Sequence, residues 1–151
     1  MLGRTYEDQH CSIARTLELV GERWTLLILR DTMNGVRRFG DLAEHLGIAR
    51  NVLQDRLTRL VDADMLERVP YQDRPLRHEY RLTAKGRDLW PVMVALMHYG
   101  DRHFAPHGPP EVLRHKGCGG VVDDRRTCET CGARLVYGEA YLEPGPGAVA
   151  A

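Results

Sequence analysis

The sequence predicts a mainly α-helical domain carrying one small β-hairpin, followed by a small C-terminal β module built around cysteines. Three observations predict it. Apolar residues recur at helical spacing from Cys11 to about Ala63, after which the pattern changes to strand-like alternation at Leu66–Tyr71 and Glu79–Leu82. Beyond a linker with three prolines and a glycine at Ala105–Pro110, four residues of metal-ligand type fall in two closely spaced pairs.

Ile13, Ala14, Leu17 and Val20 mark a first helix, which Gly21 interrupts. Trp24, Leu27, Ile28 and Leu29 mark a second, strongly buried helix ending at Asn34-Gly35, a pair suited to a left-handed C-cap. Phe39, Leu42, Ala43 and Leu46 give a short amphipathic helix, and Gly47-Ile48 a tight turn. From Ala49 to about Ala63, Leu53, Leu57, Leu60 and Val61 form a one-sided stripe. Two helices joined by a short glycine turn, followed at once by a hairpin, is the grammar of a winged helix-turn-helix, whose second helix is presented to the DNA major groove. Thr83 is placed to cap a last helix starting near Ala84 and carrying Leu89, Val92, Met93, Leu96 and Met97 on its apolar face. These readings divide the chain into a winged helix-turn-helix DNA-binding and dimerisation domain (1–108), a zinc-ribbon-like module (109–142) and a disordered tail (143–151) that is mostly Pro, Gly and Ala. Residues 1–10 are polar and expected to fray.

The 151 residues suit one ordinary domain with a small appendage, at a soluble globular balance of 43% hydrophobic and 28% charged residues. Lys+Arg and Asp+Glu are both 21, which excludes a general polyanion binder and requires that any DNA affinity come from local patches. Only Lys85 and Lys116 interrupt an otherwise all-arginine set of basic residues, and arginine suits bidentate pairing with phosphate and guanine. No apolar stretch is long enough to span a bilayer, and the N-terminal residues lack an apolar leader, so a cytoplasmic protein with reduced cysteines and no membrane partner is expected.

From residue 37 to 87 there are eleven basic and eight acidic residues, a local excess that a dimer would double. Around the wheel of Ala49–Ala63, Asn51, Asp55, Thr58 and Arg59 fall opposite the leucine stripe, with Arg50 and Gln54 flanking near the end that enters the groove deepest. Asn and Gln can bond adenine bidentately and Arg can bond guanine, so Arg50, Asn51 and Gln54 are the candidate base readers. Arg59 is a candidate phosphate contact, whereas Arg56, nearer the core face, can equally form an ion pair within the domain. Arg74 and Arg77 in the wing can reach phosphates or the minor groove, and Arg37 and Arg38 can grip backbone. For any one of these arginines the alternative is an ordinary solvated charge.

Several of these segments resemble HxlR-type transcriptional regulators. They are the run from Cys11 through Trp24 to Arg30, Arg38-Phe39-Gly-Asp-Leu42, Gly47-Ile48 through Leu53 to Arg56-Leu57, and Glu79-Tyr80 through Thr83 to Gly86. The resemblance covers about residues 11–104. It implies a homodimer with the first and last helices at the interface, bound to palindromic or paired half-sites in double-stranded DNA. It also implies a repressor in preference to an activator, with an unidentified small-molecule effector or redox signal. Gln54 departs from the serine that many members carry, so family operator sequences do not transfer. The resemblance further makes Cys11 a candidate redox sensor. A thiolate there would gain from a helix N-terminus, and the alternative is an inert small side chain.

His115-Lys-Gly-Cys118 and Cys128-Glu-Thr-Cys131 are separated by nine residues, with Gly119-Gly120 and Gly132 placed for tight knuckles. A tetrahedral Cys3His set closes with these four ligands, so His115, Cys118, Cys128 and Cys131 are read as a structural Zn2+ site that supplies folding energy to a segment with little core. The alternative is reduced or disulfide-linked cysteines with His115 incidental. No nucleophile–base spacing, phosphate loop or open metal site is evident, and the chain is read as a non-enzyme. The competing functional class is a zinc-stabilised protein-interaction adaptor on a winged helix that does not bind DNA.

Overall fold

The computed structural model describes residues 5–6 and 8–149. The expectation of fraying for residues 1–10, and that of disorder at the last two positions, fall partly outside this range. The chain divides into two compact units, Met1–Arg87 and Asp88–Ala151.

The first unit holds α1 (Ser12–Val20), α2 (Thr25–Met33), α3 (Phe39–Leu46), α4 (Arg50–Asp62), the hairpin β1 (Leu66–Asp73) and β2 (Leu76–Leu82), and a single turn α5 (Ala84–Arg87). Its core gathers the positions that the periodicity singled out. Ile28, Leu29, Leu42, Leu53 and Leu57 have no exposed surface, and Leu60 and Leu66 almost none. Spacings of four and three residues put Leu53, Leu57 and Leu60 on one side of α4, where their burial fixes which side faces out. Gly47 adopts φ +62° between α3 and α4, the left-handed geometry that a glycine C-cap permits. The strands pair antiparallel from Leu66↔Leu82 to Asp73↔Leu76, with the register shifting between Pro70 and Gln72. The Tyr80 N–H donates to the Arg37 carbonyl at 2.8 Å, which ties the segment before α3 to the wing.

Between α2 and α3 lies a buried carboxylate. Asp31 accepts from Arg30 Nε at 2.8 Å and lies 2.5 Å from His45 Nδ1, so one fully enclosed acid joins the two helices with its charge paired. Thr83 caps α5 as its sequence position suggests. Its hydroxyl accepts the Gly86 N–H at 3.1 Å and donates to the Asp64 carbonyl.

One continuous last helix was expected from Ala84. Instead α5 stops at Arg87, and α6 runs separately over Trp90–Phe104. Pro91 supplies the reason: it has no N–H to donate back to Arg87, and its ring would press on that carbonyl, so it is accommodated in the first turn of a new helix.

The second unit comprises α6 together with β3 (Glu111–His115), β4 (Ala140–Pro144) and the loops between them. The strands pair antiparallel in unbroken register from Glu111↔Pro144 to His115↔Ala140. Leu113, Val122, Cys128 and Leu135 form a small core. Short bridges at Arg114↔Val121, Val122↔Cys128 and Thr127↔Arg134 fold the intervening chain onto β3. Within this unit α6 touches the cysteine module directly. His98 Nε2 lies 3.1 Å from the Val122 carbonyl, and Arg102 pairs with Asp124 at 3.2 Å. The helix expected inside the 1–108 domain is therefore grouped with the module that follows it.

The end of the chain also differs from expectation. Residues 143 and 144 belong to β4, the Gly145 N–H donates to Pro110 O at 2.9 Å, and the Gly147 N–H to Pro109 O at 3.1 Å. Backbone hydrogen bonds to the linker hold this Pro/Gly stretch, where composition alone suggested disorder.

Candidate DNA-reading face and Cys3His cluster

Arg50, Asn51, Gln54, Asp55, Thr58 and Arg59 are all exposed on α4. The structure adds ring contacts that the sequence did not announce. The Arg50 guanidinium lies 5.0 Å from the centre of the Phe39 ring, and that of Arg38 4.2 Å from the Tyr71 ring. Tyr71 is the residue skipped in the hairpin register, so the bulge presents a flat surface for Arg38 in the half of the wing nearer its tip. Gln54 Nε2 donates to Thr58 Oγ1 at 3.2 Å. Arg37, Arg74 and Arg77 are exposed, and no ion pair engages them among the described residues.

Arg59 is the exception. Glu22, in the turn between α1 and α2, takes Arg59 Nη1 at 2.6 Å and Arg56 Nη2 at 2.8 Å. Arg56 also bonds its neighbour Asp55. The Glu22 hydrogen bond and charge hold Arg59 above even the ordinary arginine range. Arg56 thus forms the intradomain ion pair open to it, while Arg59, expected at phosphate, has its charge committed to Glu22. The sequence offered no local signal for this clamp, because Glu22 and Arg59 are 37 positions apart.

The four predicted ligands of the C-terminal module converge. His115 Nδ1 lies 3.4 Å from Cys118 Sγ and 3.3 Å from Cys131 Sγ, and Cys118 Sγ lies 3.4 Å from Cys128 Sγ. All four candidate atoms fall within 4.8 Å of one another. Zinc bonds of about 2.3 Å to sulfur and about 2.0 Å to nitrogen require tetrahedral edges of roughly 3.5–3.8 Å, so the donor set fits a four-coordinate ion with little adjustment. β3 delivers His115. The turn beyond it delivers Cys118, with Gly119 at φ +75°, and the second knuckle delivers Cys128 and Cys131, with Gly132 at φ +74°. The Cys131 N–H, opposed by burial and aided by the Thr130 N–H, brings the Cys128 thiol down to about 6. At Cys118 the Gly120 N–H favours the thiolate, but the Cys128 sulfur, burial and the Cys131 sulfur together push the thiol up. Three sulfurs this close repel one another as thiolates, and a cation between them removes that penalty.

Gly120 makes the cluster possible. A Cβ there would lie 2.6 Å from Cys128 Sγ and 2.6 Å from Thr130 Oγ1. Gly120→Ala should therefore splay the ligands and lower metal affinity by at least about tenfold, in line with losses from disturbed metal surroundings. Competition against a chromophoric chelator would measure it, and unchanged affinity would contradict this packing.

Cys11 is exposed at the N-cap of α1, and its carbonyl accepts the Arg15 N–H at 3.1 Å. Among the described residues no helix is long and apolar enough to cross a membrane.

A buried three-leucine seat for α4, a glycine turn and a bulged hairpin define a winged helix-turn-helix transcriptional regulator. Residues 19–108 match the HxlR-like helix-turn-helix family, and the chain belongs to that family. It is 53% identical over 137 residues to an uncharacterized HTH-type transcriptional regulator of Mycobacterium tuberculosis, covering 90% of this chain and 87% of the relative. The crystal structure of PA1607, a candidate transcription factor, superposes with TM-score 0.70 at 35% identity, covering 86% of this chain and 92% of that one. The reduced form of the regulator YodB from Bacillus subtilis gives TM-score 0.55 at 29% identity, over 65% of this chain and 98% of YodB. The first two similarities run well into the cysteine module, whereas the third spans a share close to the winged helix alone.

Proposed function

We propose that this protein binds paired half-sites in double-stranded DNA as a homodimer and represses neighbouring genes. Arg50, Asn51 and Gln54 read bases, Arg37, Arg38, Arg74 and Arg77 hold the backbone, and Arg59 adds to phosphate contacts only where Glu22 releases it. The observation carrying the reading is the exposed polar face of α4 opposite its buried leucines, beside a wing in which Arg74 and Arg77 are exposed and, among the described residues, held in no ion pair. Apolar side chains left in solvent support the dimer: Ile13 and Leu17 on α1, and Val92, Leu96 and Tyr99 along one side of α6, of which Ile13 is 71% and Tyr99 53% exposed. Zinc is the fitting metal for the Cys3His set, which holds four ligands and leaves no open position, so its role is structural. Cys11 is the candidate for an oxidant response in the first unit. YodB, solved in both reduced and diamide-treated forms, is a relative in which such treatment has been examined. The protein acts in the cytoplasm and is not an enzyme.

Selection of bound fragments from a random duplex pool tests the assignment. Asn51→Ala should change the preferred sequence, lowering affinity for the wild-type site by about 10- to 100-fold, whereas Arg74→Ala should weaken all sequences alike. If neither substitution altered binding, this face would not be the reading face.

A further inference from the structure

The ligand cluster is physically joined to α6. The Val122 segment bridges to Cys128, and its amide donates to Leu113 O at 2.9 Å. The carbonyl of the same residue meets His98 Nε2 at 3.1 Å, while His98 Nδ1 lies 2.9 Å from Val94 O, within α6 itself. A neutral imidazole has one N–H and can satisfy only one of these two carbonyls. The tautomer with its N–H on Nε2 donates to Val122, and that contact is sensitive to any shift of Val122. Arg102–Asp124 is a second tie between the same two parts.

At the cluster, Cys118 is exposed and Cys128 buried, with their sulfurs 3.4 Å apart. A disulfide needs about 2.05 Å. Closing that gap moves the Cys118 end, the Cys128 end or both, and Cys128 is joined through a backbone bridge to Val122. A shift at Cys128 is therefore passed to Val122, whose carbonyl lies against His98.

We propose that the Cys3His cluster is a peroxide-oxidisable site whose Cys118–Cys128 disulfide is read by α6 through the His98–Val122 contact. The inference rests on the reading of the cluster as a metal centre and of α6 as a dimer helix. The Cys118 thiolate attacks hydrogen peroxide, the O–O bond breaks, and hydroxide leaves with sulfur oxidised by two electrons to the sulfenic acid. The Cys128 thiolate then attacks that sulfur, forms the S–S bond and expels a second hydroxide. Two of four ligands are consumed, and the site can no longer hold its ion. Loss of the Val122 placement frees His98 and Arg102, loosening the part of α6 that carries Leu96 and Tyr99.

The test uses the full chain with Cys11→Ser, so that the only other thiol is absent, loaded with zinc. Peroxide should release about one metal ion per chain, as a single Cys3His site requires, and peptide mapping should find Cys118 joined to Cys128. Amide exchange over residues 94–104 should accelerate by about tenfold, the equivalent of one lost hydrogen bond. In His98→Phe with Arg102→Ala, metal release and disulfide should persist while peroxide no longer changes exchange in α6. Retained metal, a disulfide between Cys128 and Cys131 instead, or oxidation without any change in α6 would overturn the proposal. Protein that carries no metal as purified would overturn the metal reading and this proposal with it. Sedimentation of the reduced protein as a monomer would overturn the dimer reading alone, since the exchange result judges the coupling independently.

Discussion

Stripping the metal from the purified protein should unfold residues 111–144 and leave the first unit, α1 to α5, intact. The buried apolar side chains of the cysteine module are Leu113, Val122, Cys128 and Leu135, far too little apolar surface to offset the conformational entropy of residues 111–144. One of those four is itself a ligand. Its remaining order comes from one two-stranded ladder and a few isolated bridges, a type of structure that is marginal alone in water. Structural zinc contributes about 10–16 kcal/mol of apparent binding energy in small domains, which exceeds anything else available here. Trypsin offers a direct reading, because Arg114, Lys116, Arg125, Arg126 and Arg134 lie within the module. Metal-free protein should be cut there at least about a hundredfold faster, as cleavage follows the population of the open form. Equal rates with and without chelator would show that the module stands without metal.

Gly86→Ala should be the most damaging conservative change in the first unit. A Cβ at this position would lie 2.2 Å from the Met65 carbonyl oxygen and 3.0 Å from Leu82 Cδ2. The carbonyl is held in place, since it accepts the Thr83 N–H at 3.2 Å. Relief therefore requires moving α5 away from the hairpin, breaking the Thr83 cap and opening the packing of the buried Leu82. Overpacking of this kind costs about 2–3 kcal/mol, which lowers the melting temperature of a domain this size by about 10 °C or more. Gly40→Ala is the control. Nothing lies within 4 Å of its would-be Cβ on α3, so helix propensity alone acts there, for a gain of about 0.5–1 kcal/mol. Calorimetry of both variants decides the matter, and similar melting temperatures would show that the α5–hairpin approach is looser than described.

The parts of this fold that were legible in the sequence are those governed by local period. Leu53, Leu57 and Leu60 mark their own helix face, Gly47 marks its own turn, and the alternation around Val69 and Tyr80 marks the wing. The convergence of His115, Cys118, Cys128 and Cys131 was legible too, because short spacing to a glycine makes a knuckle wherever it occurs. The parts that were not legible depend on partners distant in the chain. The β4 strand ends in Pro144 and runs into a Gly-Pro-Gly stretch, and its last residues look structureless until Glu111–His115 is seen to pair with it. The assignment of Arg59 failed to anticipate Glu22 for the same reason. The break before α6 is different: Pro91 announced it, and the strong apolar stripe on either side obscured it.

The Glu22 clamp has a consequence for how DNA binding responds to ionic strength. Each cation that docks on phosphate releases condensed counterions, and affinity falls with added salt in proportion to the number docked, with a logarithmic slope of about −0.9 per contact. Two guanidiniums on α4, Arg56 and Arg59, are already ion-paired within the protein, both with Glu22 and Arg56 also with Asp55. If α4 is the reading helix proposed above, it contributes less to counterion release than its arginine content suggests. The proposed assignment then predicts that its share of affinity comes from hydrogen bonds to base edges, which salt leaves largely intact, with the salt-sensitive share falling to the wing and to the segment before α3.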